Sequence, residues 1–341
     1  MLFRSITLVP GTYTVVLQWS DSIYSIGQTT TGTAYDVDFY LTKDNGKTLF
    51  GFNRNNIGGD PIEVLSFTVT ENTTSNFLVV SNSNAPVFFK YVVFRGELVI
   101  NEHQQGVSTI VGQANAAGAI STGAVLYSNT PRYGVDPPTV TSFSSRGGTL
   151  VNGVDRNKPD ICAPNGGNTT VYMGGVNIDN DAFPNFFGTS AAAPHATGVG
   201  ALLAQAKKKY YGQSVTPDEV RAILKTTAVD MYTNGYDINS GSGFINADAA
   251  LRSIAEPNPE LIQLVVPPNV TPGDSAFTLN VTGNYFSDNS SVIFRDDTLP
   301  TTFQNQNLVT AEIPEFMGNP QIYVYTPPVS TSGLDGGNSN V

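Results

Sequence analysis

The sequence predicts a multidomain protein: an α/β domain, with a parallel sheet and helices, flanked by two all-β sandwich domains. Three observations carry that expectation. The chain has 341 residues, more than one ordinary domain of about 100 to 200 residues holds. Both ends are built from short β-branched and aromatic runs separated by turn clusters, the period-2 pattern of antiparallel sheets. The middle changes to Ala- and Gly-rich stretches, apolar β runs and helical periodicity, which is α/β in character.

Residues 1–104 supply the runs TYTVVLQW, YDVDFYL, EVLSFTV, NFLVVS and VFFKYVVF, parted by KDNGK, NRNNIGGD and SNSNAP. They read as an antiparallel sandwich or jelly roll without a helix. Residues 105–253 hold the strand AISTGAVLY and then the helix SAAAPHATGVGALLAQAKKKYY, whose closing lysines suit a helix C-terminus. Thr216, Pro217, Asp218 and Glu219 combine a capping box with proline at the first helical position, and Val220, Ile223, Leu224 and Thr227 share one face of the helix that follows. Asn246 caps a third, short helix. The prolines of EPNPE mark a linker. Residues 257–327 return to short strands, and the Gly/Ser/Asn-rich segment 328–341 is expected to be a flexible tail.

Composition narrows the function. Hydrophobic residues at 40% exclude a wholly disordered chain, while 13% charged residues with 33 Gly and 21 Pro fit a turn-rich, largely β protein of secreted type. A net charge of −11 repels nucleic acid and anionic membranes. No apolar run is long enough to span a bilayer. Cys162 is the one cysteine, so no intramolecular disulfide forms; in its apolar ICAP setting it reads as a buried small residue. The start, MLFRSITLVPGTYTV, meets Pro10 and Gly11 before an apolar signal core develops, so no export signal is expected there.

The chemistry concentrates in Phe187-Gly188-Thr189-Ser190-Ala191-Ala192-Ala193-Pro194-His195. A serine at the start of a helix sits beside free N–H groups and the positive dipole end, where an oxyanion is stabilised. Gly188 permits a sharp turn before the serine, and Pro194 is expected in a first turn. Taken alone, G-T-S reads as an ordinary capped helix. The longer pattern G-T-S-x-A-x-P-H-x-x-G resembles the nucleophile motif of the subtilisin-like serine proteases, the subtilases. Four more stretches match that family in order: AISTGAV (119–125), VTSFSSRGG (140–148), KPDICAPNG (158–166) against D-x-x-A-P-G, and VRAILKTTA with SGSGFINADAAL (240–251).

The resemblance covers about 108–252 and implies the second half of a subtilase catalytic domain, with Ser190 as nucleophile and backbone oxyanion donor, and Gly188, Thr189, Pro194 and His195 supporting it. The family's triad Asp and His and its oxyanion asparagine come from the first half, and no D-S/T-G, H-G-T or A-A-G-N segment stands here. His195 is structural in the family, and His103 in Asn-Glu-His-Gln-Gln is expected to be a surface histidine. Serine without a base is an unactivated alcohol. The expectation is therefore a serine endopeptidase present as an incomplete chain, with Met1 inside an insert and Asp, His and Asn preceding it. The alternative is a catalytically inert secreted binding or spacer protein with a degenerate protease half-domain. Implied partners are protein or peptide substrates and the missing N-terminal half, and the implied location is secreted or cell surface.

Two flanking resemblances remain. Asp36-Val37-Asp38-Phe39-Tyr40-Leu41 resembles the D-x-D-x-Y-L strand of jelly-roll domains attached to secreted proteases. Period-2 spacing puts Asp36 and Asp38 on one face, where they could bind Ca²⁺ with a third group such as Asp21 or Asp60; the alternative is a solvated strand face. Serine chemistry itself needs no cofactor. Residues 257–327 resemble an immunoglobulin-like IPT/TIG domain through PPNVTPGD, FTLNVTGNYF and SVIF, which implies a binding module or a rigid spacer.

Overall fold

Tyr13, Val15, Leu17 and Trp19 occupy alternate positions of one strand and all four are buried. That alternation organises the first of two compact units, Met1–Gln105 and Gly106–Val341, into which the computed structural model divides the chain. Residues 2–43, 47–102, 106–151, 153–172 and 175–340 are described.

The first unit contains β1 (Leu2–Leu8), β2 (Gly11–Trp19), β3 (Val37–Thr42), β4 (Thr48–Phe52), β5 (Ile62–Val69), β6 (Thr73–Ser81), β7 (Phe89–Arg95) and β8 (Leu98–Ile100). They form two antiparallel sheets, β4-β3-β6-β1-β8 and β5-β2-β7. Tyr13, Leu17, Trp19, Phe39, Leu65 and Phe77 meet in one core. Among the described residues of this unit there is no helix, as the alternation predicts. Trp19 and its aromatic neighbours are core: the indole N–H donates to Thr33 Oγ1 at 3.1 Å, which satisfies the ring's polar atom inside the sandwich. Gly96, at φ +95°, lies under the Tyr13 ring, where an added Cβ would come within 2.3 Å of Cδ1. Only glycine fits that turn.

The second unit begins with β9 (Thr122–Leu126), the two short strands β10 (Leu150–Val151) and β11 (Val154–Asp155), and β12 (Ile161–Asn165). β12 runs parallel to β9, with Ala163 opposite Ala124. Ala124, Val125, Ile161, Cys162 and Ala163 are all buried, the continuous burial that a covered parallel strand requires. At the foot of this pair Asp160 accepts the Ser121 N–H at 2.8 Å and meets Lys158 Nζ at 2.6 Å. The β13 (Gly167–Asn168) and β14 (Asn185–Phe186) hairpin leads into α1 (Thr189–Tyr211), followed by α2 (Pro217–Thr226) and α3 (Ala247–Arg252). The predicted caps form: Glu219 N–H donates to Thr216 Oγ1 at 3.2 Å, Thr216 N–H donates to Glu219 Oε2 at 2.8 Å, and Ala249 N–H donates to Asn246 Oδ1 at 3.0 Å.

The same unit ends in a second sandwich, made of β15 (Glu260–Val265), β16 (Phe277–Asn284), β17 (Ser291–Phe294), β18 (Asp297–Thr298), β19 (Thr301–Asn305), β20 (Leu308–Ile313), β21 (Ile322–Thr326) and β22 (Gly337–Asn338). Its sheets are β15-β16-β20-β19 and β18-β17-β21-β22 around Leu279, Val281, Phe286, Val292, Val309 and Val324.

Two expectations change here. The segment beginning at Glu256, expected as a free linker, is built in: Glu256 is buried, Arg252 Nη1 meets its carboxylate at 2.7 Å, and its backbone N–H donates to Asp335 Oδ2 at 2.9 Å. The segment 328–341, expected as a flexible tail, pairs through β22 with β21, and buried Asp335 accepts the N–H groups of Glu256, Val329 and Ser330. The Gly, Ser and Asn residues that suggested flexibility supply instead the positive-φ turns at Gly336 and Gly337 and, at Ser339 and Asn340, short side chains that bond to the main chain.

Candidate active site

The site is assembled where β12, the hairpin and α1 converge. The return strand of the hairpin ends at Phe186, Phe187 continues it, and Gly188 turns the chain with φ +106° and ψ 170° to become the N-cap of α1. L side chains rarely adopt that conformation, so glycine is required immediately before the nucleophile motif. The Gly188 carbonyl accepts the N–H groups of Ala191 at 2.9 Å and Ala192 at 3.2 Å, which starts the helix. Ser190 is the second helical residue and its side chain is exposed. The first N–H groups of a helix have no intrahelical carbonyl, so the main chain at Ser190 offers a donor and the positive end of the helix dipole at one point.

Asn165 supports the turn from below. It is the last residue of β12, fully buried, and its Oδ1 accepts the Gly188 N–H at 3.4 Å. Its Nδ2 is buried and has no partner among the described residues. The motif reading passed over this residue. The available signal was the departure from A-P-G to Ala163-Pro164-Asn165-Gly166, which places an amide where the family's pattern has glycine. The hairpin itself is held by Asn185, whose Nδ2 donates to the Gly166 carbonyl and to Asn168 Oδ1, both at 2.9 Å, and whose Oδ1 accepts the Ile178 N–H at 2.8 Å.

The structure brings Gly188, Thr189, Ser190, Pro194 and His195 onto the first two turns of α1. Pro194, expected in the first turn, falls in the second, as the sixth helical residue counted from Thr189. Lacking an N–H, it leaves the Ser190 carbonyl without its usual i+4 donor, and the helix continues because its neighbours pack. His195 is exposed, and its Nδ1 lies 2.8 Å from the Ala191 carbonyl oxygen, so the ring is tied to its own helix. His103 lies outside the described residues. Cys162 is no second nucleophile: burial pushes its thiol up to about 12, and Sγ is directed at the Ser240 carbonyl at 3.6 Å.

Asp36 and Asp38 lie in the other unit and act there as hydrogen-bond acceptors. Asp36 Oδ1 takes the Asn56 N–H at 3.0 Å, and Asp38 Oδ2 takes the Tyr40 hydroxyl at 3.1 Å. The suggested third groups are engaged elsewhere, Asp21 with Thr33 and Ala34 at 2.7 Å and Asp60 with the Ser25 N–H at 2.8 Å. Among the described residues no group of three or more His, Cys, Asp or Glu side chains is placed to hold a metal ion. Among the same residues no helix is long and apolar enough to cross a membrane.

An exposed serine thus stands in the first turn of a helix, after a glycine in a conformation that L side chains rarely adopt. The subtilase family profile matches residues 52–246, beginning at the end of β4 and running through the α1 motif, and the chain belongs to the subtilase family of serine peptidases. Fervidolysin of Fervidobacterium pennivorans is 30% identical over 151 residues, which are 44% of this chain and 17% of that protein. An extracellular serine protease of Serratia marcescens is 28% identical over 177 residues, 50% of this chain and 14% of that one. The chain thus spans under a fifth of either relative. Among solved structures, the CspB protease of Clostridium perfringens is similar at a TM-score of 0.45 and 17% identity, covering 73% of this chain and 55% of the other.

Proposed function

We propose that this chain carries the nucleophile half of a subtilisin-like serine endopeptidase. The observation that supports it is the geometry at Gly188 and Ser190: an exposed hydroxyl at the N-terminus of α1, on a glycine turn buttressed by Asn165. In this reading Ser190 Oγ attacks a peptide carbonyl, its proton passes to an imidazole, and the tetrahedral oxyanion is held in part by the Ser190 N–H. Collapse breaks the C–N bond, the imidazolium proton leaves with the amine, and water releases the acyl group by the same route. The imidazole, its aspartate and the side-chain oxyanion donor come from polypeptide that contains the family's D-S/T-G, H-G-T and A-A-G-N segments.

The surface of α1 supports that division. Ala193, Pro194, Thr197, Gly198, Ala201 and Leu202 are exposed on it, whereas Ala192, Ala196 and Leu203 are buried against β9 and β12. A helix apolar on both faces is one that belongs inside a domain. Residues 1–104 are read as a jelly-roll-like insert and 257–327 as an IPT/TIG-like spacer. Protein or peptide substrates, and a secreted or cell-surface location, follow from the family and from the extracellular Serratia relative.

The test is labelling with a fluorophosphonate. This chain alone should not label, whereas a longer chain that also contains the family's D-S/T-G, H-G-T and A-A-G-N segments should label at Ser190. Robust labelling of the chain alone, or none in a longer chain that contains those motifs, overturns the proposal.

A further inference from the structure

Glu63 is the most unusual ionisable residue of the first unit. It lies on β5 between the outward-facing Ile62 and Val64, so the strand's alternation turns its side chain inward beside Leu65 and Leu17, and it is 0% exposed. Neither carboxyl oxygen has a hydrogen-bond partner among the described residues. The neighbouring Asn56, 2% exposed, is in the same position: its Oδ1 has no partner, while its Nδ2 is spent on the carbonyls of Asp60 at 3.4 Å and Ile62 at 3.1 Å. Three buried acceptor oxygens on these two residues are therefore without a well-formed hydrogen bond among the described residues. Leaving such groups unsatisfied is destabilising, and an unpaired buried charge is more so.

We propose that Glu63 is held as the neutral acid and donates its proton to Asn56 Oδ1, making this buried pair a pH-sensitive fastener of the first unit. One proton converts two unsatisfied acceptors into a hydrogen bond and removes a buried charge. The groups that face Glu63 pull in both directions: Asp38 on β3 and Asp36 just before it oppose its ionisation, while the Asn56 amide and Arg54, after β4, favour it. Tyr91 of β7, across Leu17 in the register of the same sheet face, adds no opposing charge. Burial is the largest influence and outweighs Asn56 and Arg54, so that with a smaller push from the two aspartates the Glu63 carboxyl rises to about 7. The fastener has a mechanical consequence. The Asn56 N–H holds Asp36 at the entry to β3, so the Glu63–Asn56 bond ties the inner face of the β5-β2-β7 sheet to the start of a strand in the other.

The sign follows from linkage. The folded unit keeps a proton that the unfolded chain has already lost above 4.5, so the stabilisation is complete below that value, declines as pH rises to about 7, and is gone above it. Trp19 is the chain's only tryptophan and is buried in this unit's core, so its fluorescence in the intact chain reports this unit alone.

The experiment is denaturant unfolding of the full chain, read at Trp19 from pH 4.5 to 8.5, for the native sequence and Glu63→Gln, each with calcium chloride and with EDTA. The unfolding constant of the native chain, relative to that of Glu63→Gln, should rise by up to about 300-fold across the range, the factor set by a shift from 4.5 to about 7. Parallel profiles overturn the proposal. So does a native midpoint at pH 8.5 that calcium restores and EDTA removes, because the missing partner would then be a cation. If Glu63→Gln does not fold, the infrared difference spectrum of the native chain between pH 5.5 and 8.5 decides: loss of a protonated-carboxyl C=O band supports the proton, and its absence refutes it.

Discussion

The first sandwich and the layer that carries Ser190 satisfy their apolar residues in opposite ways. In the sandwich the inward positions of β2, Tyr13, Val15, Leu17 and Trp19, are all buried within the unit. In the second unit the β9–β12 pair is buried, yet the helix it supports splits at neighbouring positions: Leu203 is 0% exposed and Leu202 is 45% exposed. The sandwich alternates polar and apolar residues because water lies on one side of each sheet. The α1 sequence carries small and apolar residues on both faces, which suits protein on both sides. The difference separates a unit that closes its own core from one that leaves an apolar helix face exposed.

The sharpest way to break that comparison is through Ser190. In a longer chain that labels and cleaves casein, Ser190→Ala should abolish fluorophosphonate labelling and lower turnover by several orders of magnitude, since removing a triad member leaves only the contribution of the oxyanion hole and binding. Labelling that survives the substitution would place the nucleophile elsewhere.

The adjacent leucines test the same contrast by packing. Leu203→Ala should destabilise the second unit by about 2–5 kcal/mol, as expected for a buried leucine. Leu202→Ala should stay within about 0.5 kcal/mol in this chain, as at other surface positions, and become costly only in the longer chain. Hydrogen exchange along α1 in both chains measures this. Equal costs at the two positions in this chain would mean that α1 already has its full complement of neighbours.

Much of this contrast was legible in the sequence because it rests on periodicity and on residues with one physical use. Alternation in TYTVVLQW places the sandwich core, Thr216 to Glu219 fix a helix start, and Gly188 before Thr189-Ser190 marks a turn. What escaped depends on contacts between distant residues. Asn165 and Gly188 are 23 positions apart, so their bond has no local signature. Asp335 organises the terminal segment from 79 positions beyond Glu256, and composition alone reads that segment as loose. The aspartates at 36 and 38 show the same limit: spacing puts them on one face, while the Asn56 N–H on Asp36 Oδ1 and the Tyr40 hydroxyl on Asp38 Oδ2 are contacts that spacing does not show.

Asp335 and Glu63 sharpen the comparison further, as buried carboxyls with and without donors. Burial alone would raise the Asp335 carboxyl, but bonds from Ser330 and from the N–H groups of Glu256 and Val329 outweigh it and hold the carboxyl below its ordinary value. Its contribution is therefore present above the unfolded value of 3.8 and lost as pH falls through the folded one, opposite in sign to Glu63. Asp335→Ala leaves several backbone donors unpaired and should cost about 1–3 kcal/mol. Calorimetry should locate the loss in the second unit, with the Trp19 transition unmoved. A shift in the Trp19 transition instead would mean that this contact does not act within its own unit.

The smallest effect concerns α2, where local sequence and tertiary structure agree. Thr216 and Glu219 satisfy each other's N–H groups at the helix start, and Leu224, with Val220 and Ile223, packs into the core under α1. Thr216→Ala removes one acceptor and should cost about 1 kcal/mol, the ordinary value for an N-cap. The N–H and hydroxyl of Thr216 hold the Glu219 carboxyl below its ordinary 4.5, so this favourable contact exists above that value and disappears as the pH falls through the folded one. Thr216→Ala should therefore weaken the second unit at neutral pH and flatten its response to acid, both visible in calorimetric melts at pH 7 and pH 3.5. If the variant melts as the native chain does at pH 7, α2 is held by Leu224 and its neighbours alone, and the capping box records how the helix starts without contributing measurably to its stability.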